Sequence, residues 1–120
     1  MWAFIAAEGR RFANTCIWSM NGWMAAWATE KSLRQWTVVN ILSAALAFSL
    51  DLTAAERALV LSLGVLILAA ELLNTAIEEV VDLVSPKADP RAGKAKDCGS
   101  AGVALAAIAG GLAWVVILFG

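Results

Sequence analysis

Three uncharged apolar stretches constrain the fold of this chain more than any other feature. They cover Thr37–Leu50, Ala58–Ala70 and Cys98–Gly120, in a sequence that is 61% hydrophobic overall. With their flanking residues, such stretches are long enough to cross a bilayer as helices, whereas the core elements of a small soluble domain are shorter and more amphipathic. We therefore predict an all-α membrane protein, with residues 1–120 as a single domain.

The residues flanking these stretches set the predicted helix limits. Transmembrane helices are expected at about residues 35–52, 54–84 and 90–120. A capping box, Thr53-Ala-Ala-Glu56, should start the second helix, and Asp89-Pro90 reads as the N-cap and first residue of the third. A helix over residues 54–84 would be about 46 Å long, which exceeds the hydrocarbon core of about 30 Å. One of its ends must therefore project into water.

Residues from about 5 to 30 are predicted to form an amphipathic helix that lies in the membrane interface. One stripe of small or polar residues recurs at helical spacing, and tryptophans and methionines lie roughly opposite. The stripe consists of Arg11, Thr15, Ser19, Gly22, Ala26 and Glu30. A stabilising anchor without chemistry is the alternative for this segment. No removable signal peptide is expected, because the first residues lack a basic region.

The basic residues predict the orientation of the chain. Eight of the nine lie before the first span or between the second and third, and only Arg57 lies in the other loop. By the positive-inside rule, the N-terminus should be cytoplasmic and the C-terminus should lie on the opposite side of the membrane. Cys16 and Cys98 would then lie on the reducing side as free thiols. The net charge of −1 gives no sign of nucleic-acid binding, and the absence of histidine excludes histidine-based catalysis and metal sites.

The second helix carries four polar side chains that share one stripe: Glu71, Asn74, Glu78 and Asp82. On an α-helix they fall within about 80° of one another. Counting about 20 residues from Ala58 places Glu71 inside the membrane leaflet, with Glu78 and Asp82 at or beyond its surface. Acidic residues at membrane depth are costly and are usually functional.

This stripe and the basic start of the third span suit a site for Mg²⁺ and a nucleotide. Mg²⁺ takes one or two carboxylates together with phosphate oxygens and water, and lysines such as Lys96 can balance phosphate charge. The deeper Glu71 suits a proton acceptor. The alternative is that these groups only pair with one another to hold helices together. No P-loop and no protein-kinase motif is present, so neither of those kinase architectures applies.

Two segments make the sequence resemble a known family. Residues 71–82 (ELLNTAIEEVVD) and 95–101 (AKDCGSA) are similar to the motifs of the prokaryotic diacylglycerol kinases, small membrane lipid kinases that include the undecaprenol kinases. The upstream pattern Ser19-x-x-Gly22-x-x-x-Ala26-x-x-x-Glu30 fits as well. The resemblance extends from about Arg11 to Gly120.

The resemblance implies a homotrimer that transfers the γ-phosphate of ATP to diacylglycerol at the cytoplasmic interface, with Mg²⁺. It implies that Glu71 accepts the proton of the lipid hydroxyl and that Glu30 and Glu78 hold the metal. The positions implied for ATP binding are Arg11, Trp18, Glu30, Asn74, Glu78, Lys96 and Asp97. Those implied for lipid binding are Arg11, Ser19, Trp27, Arg34, Glu71, Ser100 and Trp114.

The chain departs from the family pattern after the second span. Ala88 and Asp89 stand where diacylglycerol kinases carry a Tyr-His pair near the nucleotide, which leaves the adenine contacts open. Undecaprenol kinase is the alternative activity within the family. A small proton-coupled multidrug transporter, which would need four spans, and a purely structural membrane subunit are the alternatives outside it.

Overall fold

The protein, described here over all 120 residues from a computed structural model, is entirely helical. It contains α1 (Trp2–Thr29), α2 (Lys31–Ser49), α3 (Ala54–Val84) and α4 (Pro90–Phe119). The all-α prediction is confirmed. The chain divides into two compact units, residues 1–30 and residues 31–120.

The first unit is the single helix α1. It begins three residues before the predicted limit of about residue 5, and it ends where Glu30 leaves helical geometry at φ −96° and ψ 106°. The Glu30 N–H still donates to the Ala26 carbonyl at 2.7 Å, so the last turn is closed. Trp23 and Trp27, one turn apart, stack with their ring centroids 6.0 Å apart.

The second unit is built around α3, against which both α2 and α4 pack. The predicted helix over residues 54–84 has the limits of α3, whereas α2 starts at Lys31 and ends at Ser49 instead of covering residues 35–52. Polar residues such as Lys31 and Arg34 are good helix formers, so the helix starts before the apolar stretch does. The apolar stretch marks what can enter a membrane, and it does not mark where the helix begins.

Local hydrogen bonds start α3 and α4 where the sequence predicts them. The Thr53 hydroxyl accepts from the Glu56 N–H at 3.2 Å, and the Glu56 carboxylate accepts from the Thr53 N–H at 2.8 Å, which completes the capping box. At α4, the Asp89 carboxylate accepts from the Arg91 N–H at 2.8 Å, with Pro90 as the first helical residue. Each cap satisfies a backbone donor that the helix itself leaves unpaired.

Arg57 ties the start of α3 to the end of α2. Its guanidinium donates to the carbonyl oxygens of Ala47 at 3.0 Å and Leu52 at 3.3 Å, and it lies 5.4 Å from the centre of the Phe48 ring. Carbonyl groups at a helix C-terminus lack partners within the helix, so a cation placed there both hydrogen-bonds them and complements the helix dipole. The turn between α2 and α3 is thereby held closed.

Few side chains are buried, and the exterior is apolar. A small core of Ala47, Val60 and Ala113 lies at the Arg57 end of the bundle. Large aliphatic residues such as Val65, Leu66 and Leu105 are instead exposed. Such an exterior suits a lipid environment. By length and composition, α3 and α4 can each cross a membrane.

Candidate active site

Glu71 is the one charged residue that the fold buries. Its side chain is only 4% exposed, on the face of α3 that meets the start of α2. There the Ser32 hydroxyl donates to Glu71 Oε2 at 3.0 Å. A buried carboxylate without hydrogen bonds would be strongly destabilising, so this contact is part of what lets the acid remain inside.

Asn74 lies one turn further along α3 and faces α4. Its amide nitrogen Nδ2 donates to Glu78 Oε1 at 3.2 Å. Its amide oxygen Oδ1 is buried without a hydrogen-bond partner, in contact with the backbone of Gly99 on α4. A Cβ atom at position 99 would clash with this oxygen. The amide is therefore held between the Glu78 carboxylate and a glycine.

Asp82 and Lys96 form the next contact between α3 and α4. Lys96 Nζ lies 2.6 Å from Asp82 Oδ1, with both side chains partly exposed. The two residues line a cavity of about 580 Å³ together with the turn that joins the helices, including Lys87. In this turn, hydrogen bonds from the side chain and backbone N–H of Arg91 lower the pKa of Asp89. The cavity is open, and Asp82, Lys87 and Lys96 contribute charged groups to a lining that is otherwise mostly apolar.

The acidic stripe of α3 is thus divided between two neighbouring helices. Glu71 is directed to α2, whereas Asn74 and Asp82 are directed to α4. Glu78, half-buried, stays within hydrogen-bond reach of Asn74 only. Asn74 thus pairs with Glu78 within the stripe, and Asp82 pairs with Lys96 of α4, so these contacts also join α3 to α4.

The other predicted site residues of the second unit lie on α2 and α4. Asp97 and Ser100 are exposed on the first turns of α4, and Arg34 is half-buried on α2. Trp114 lies much further along α4, where its indole N–H donates to the Ser43 hydroxyl at 2.9 Å. It lines a cavity of about 260 Å³ with Asn40 and Gly64. Trp114 is therefore separate from the Asn74–Glu78 pair, as a contact for the distant part of a lipid would be.

The predicted residues of the first unit lie along α1. Trp18 and Ser19 are exposed, and Trp27 stacks on Trp23 as described above. Arg11 lies 3.8 Å from Glu8, in an exposed pair that contributes little to stability. Glu30, at the end of the helix, accepts a hydrogen bond from the Thr29 hydroxyl at 3.0 Å.

The sequence does not indicate three contacts between helices that the structure shows. These contacts join Ser32 to Glu71, Ser43 to Trp114 and Lys96 to Asp82. A helical wheel of α3 indicates which side chains share a face. It cannot indicate which residue of another helix meets them, because that depends on the register between helices.

The carboxylate oxygens of Glu78 are suitable ligands for a magnesium–nucleotide complex. No group of three or more acidic or cysteine side chains lies close enough together to hold a metal ion alone. Mg²⁺ needs no such cage when phosphate oxygens and water fill most of its coordination sphere. The half-buried Glu78 carboxylate, one turn of α3 before Asp82 at the cavity, therefore suits it.

Comparison with known proteins identifies the family. The model of the prokaryotic diacylglycerol kinase family matches residues 17–118. The chain belongs to this family. A diacylglycerol kinase of Pseudomonas aeruginosa is 39% identical over 111 residues, 92% of this chain and 90% of the relative. One of Escherichia coli is 38% identical over 109 residues, 91% and 89% of the two chains. One of Haemophilus influenzae is 36% identical over 106 residues, 88% and 90% of the two chains.

Membership of a lipid kinase family decides against the two functional alternatives that lie outside the family. The chain is an enzyme, and the recognition from its two motifs is confirmed. The multidrug transporter and the structural subunit are not supported. The apolar helices α3 and α4 agree with a membrane protein that acts on a lipid.

Proposed function

We propose that this protein transfers the γ-phosphate of ATP to the free hydroxyl of diacylglycerol, which yields phosphatidic acid and ADP. The observation that carries the proposal is the contrast between two glutamates of α3: Glu71 is buried, and Glu78 is half-buried, one turn before Asp82, which lines the cavity at the α3–α4 turn. Seven residues separate the two glutamates, about 10 Å along the helix. Glu71 can therefore act on a reactant in the membrane, and Glu78 on a reactant that comes from the water.

Glu71 is the proposed proton acceptor. As the lipid hydroxyl oxygen bonds to the γ-phosphorus, the bond from that phosphorus to the bridging oxygen of ADP breaks, and the hydroxyl proton moves to the Glu71 carboxylate. The burial of Glu71 excludes water that would compete as the acceptor of the phosphoryl group. Its contact with Ser32 restricts the position of the carboxylate.

Glu78 and Glu30 are the proposed ligands of the metal that accompanies ATP. Mg²⁺, when bound, neutralises charge on the phosphates and orients them for transfer. Asn74, Lys96 and Asp97 would hold the phosphates, and the Asp82–Lys96 contact supports this by placing the ammonium group at the rim of the cavity. Phosphoryl transfer depends mainly on such positioning and on charge stabilisation.

The remaining contacts follow from the family pattern. Arg11 and Trp18 would contact the nucleotide, and Arg11, Ser19, Trp27, Arg34, Ser100 and Trp114 would contact the lipid. The cavity beside Trp114 supports a path along which an acyl chain extends below Glu71.

We further propose three membrane spans, with α2 as the first, an α1 helix in the cytoplasmic interface, and a homotrimer in the bacterial inner membrane. The N-terminus would be cytoplasmic and the C-terminus periplasmic. The distribution of basic residues supports this orientation. One copy of the chain leaves Asn74 and Glu78 only half-buried, and neighbouring copies would shield these polar groups from lipid.

A lipid phosphorylation assay tests the substrate. The purified protein is given radiolabelled ATP and Mg²⁺ in mixed micelles that contain either diacylglycerol or undecaprenol. We expect labelled phosphatidic acid to form faster than labelled undecaprenyl phosphate, because the named relatives are diacylglycerol kinases. Faster labelling of undecaprenol would reassign the substrate, and no labelling of either lipid would refute the activity.

A further inference from the structure

The first turn of α2 supplies a contact to Glu71 that the family motifs do not include. Ser32, the second residue of α2, is half-buried, and its hydroxyl donates to Glu71 Oε2 at 3.0 Å. A serine near a helix N-terminus commonly caps its own helix by accepting a backbone N–H. Here the hydroxyl reaches 39 residues along the chain to another helix instead.

This contact fixes the orientation of the Glu71 carboxylate. A glutamate side chain can rotate about several bonds, and a proton acceptor works only when one oxygen is aimed at the proton. A hydrogen bond to one carboxylate oxygen removes that freedom.

We propose that Ser32 is a positioning residue for the proton transfer: it holds Oε2 of Glu71 and so leaves the second carboxylate oxygen, Oε1, to take the proton of the lipid hydroxyl. This inference rests on the proposed role of Glu71. Ser32 itself does not touch the transferred phosphoryl group.

The position of the contact predicts which kinetic constant it controls. Ser32 bonds to the deeper acid and makes no contact with Asn74 or Glu78, the groups proposed to serve the nucleotide. Loss of its hydroxyl should therefore slow turnover without weakening the apparent affinity for Mg-ATP. A contact that only packed α2 against α3 would instead affect both constants, together with stability.

The test compares Ser32→Ala, Ser32→Thr and the matched control Ser49→Ala. Ser49 lies at the other end of α2, where its hydroxyl bonds only to the Leu46 carbonyl. Loss of a hydrogen bond to a charged group predicts that Ser32→Ala lowers kcat by about tenfold. We expect the KM for Mg-ATP to stay within about twofold of wild type, and Ser32→Thr to restore most of the turnover because it restores the hydroxyl.

Glu71→Gln, measured in parallel, separates this inference from the proposed function. If Glu71→Gln keeps wild-type turnover, the role of Glu71 itself is refuted. If Glu71→Gln abolishes turnover while Ser32→Ala matches Ser49→Ala, only the role of Ser32 is refuted. The role of Ser32 is also overturned if Ser32→Thr is as slow as Ser32→Ala, or if Ser32→Ala raises the KM for Mg-ATP as much as it lowers kcat.

Discussion

Gly99 should control Mg-ATP binding although it carries no side chain. A Cβ atom at position 99 would clash with the Asn74 amide oxygen. In Gly99→Ala the amide must move, because a flexible side chain shifts more easily than two packed helices do. Its nitrogen then leaves Glu78 Oε1, to which it now donates at 3.2 Å. The effect reaches Glu78 through Asn74, without any direct contact from position 99.

The size of the effect follows from the hydrogen bond that is lost. A hydrogen bond to a charged group contributes about 1.5–3 kcal/mol. Glu78 is half-buried, so the lower end of this range applies, and it corresponds to a rise of about tenfold in the KM for Mg-ATP. We expect kcat at saturating ATP to change little, since Glu71 and Ser32 are untouched.

The assay measures lipid phosphorylation against Mg-ATP concentration at a fixed saturating lipid concentration. Gly102→Ala is the matched control, because position 102 lies three residues further along α4 and an added Cβ there would contact nothing within 4 Å. Both variants exchange glycine for alanine in one helix, so their effects on helix propensity cancel. If the two variants have the same KM for Mg-ATP, Gly99 does not position Asn74.

Three further predictions concern the turns and the topology. Arg57→Ala removes the hydrogen bonds that close the α2–α3 turn. It should therefore destabilise the protein by about 1–3 kcal/mol and lower its thermal unfolding midpoint. An unchanged midpoint would contradict the role of Arg57 in this turn. Hydrogen bonds from Arg91 lower the pKa of Asp89 in the folded protein, so Asp89 stabilises the fold above its ordinary pKa of 3.8 and loses this effect as the pH falls through the lowered value. Asp89→Ala should therefore be less stable than wild type in denaturation at neutral pH and equal to it in strong acid, and a difference that grows in acid would refute this linkage. Reporter tags at the two termini should lie on opposite sides of the membrane if α2, α3 and α4 all cross it; tags on the same side would exclude three spans.

The limits of α3 and α4 could be predicted because their signals are local. The capping box at Thr53 and the Asp89-Pro90 start each involve residues within a few positions of one another, and both form as expected. The shared stripe of acids on α3 also follows from helix geometry alone. Hydropathy indicates an apolar segment from about residue 35, and the helix that contains this segment begins earlier, at Lys31.

The contacts that give each acid its environment could not be predicted. Ser32 is 39 residues from Glu71, and Trp114 is 71 residues from Ser43. Which residues meet across two helices depends on their register and rotation, and packing of many small and aliphatic side chains sets both. The sequence therefore indicated that the stripe is functional, but not that it is shared between α2 and α4.

The separate roles proposed for Glu71 and Glu78 are tested most directly by steady-state kinetics of Glu71→Gln and Glu78→Gln. Each variant is measured against Mg-ATP with diacylglycerol as the acceptor. Both substitutions remove a charge and keep the size of the side chain. We predict that Glu71→Gln lowers kcat with little change in the KM for Mg-ATP, and that Glu78→Gln mainly raises this KM. Equal changes in both constants for the two variants would contradict the separate roles, and undiminished activity in either variant would remove that glutamate from the site.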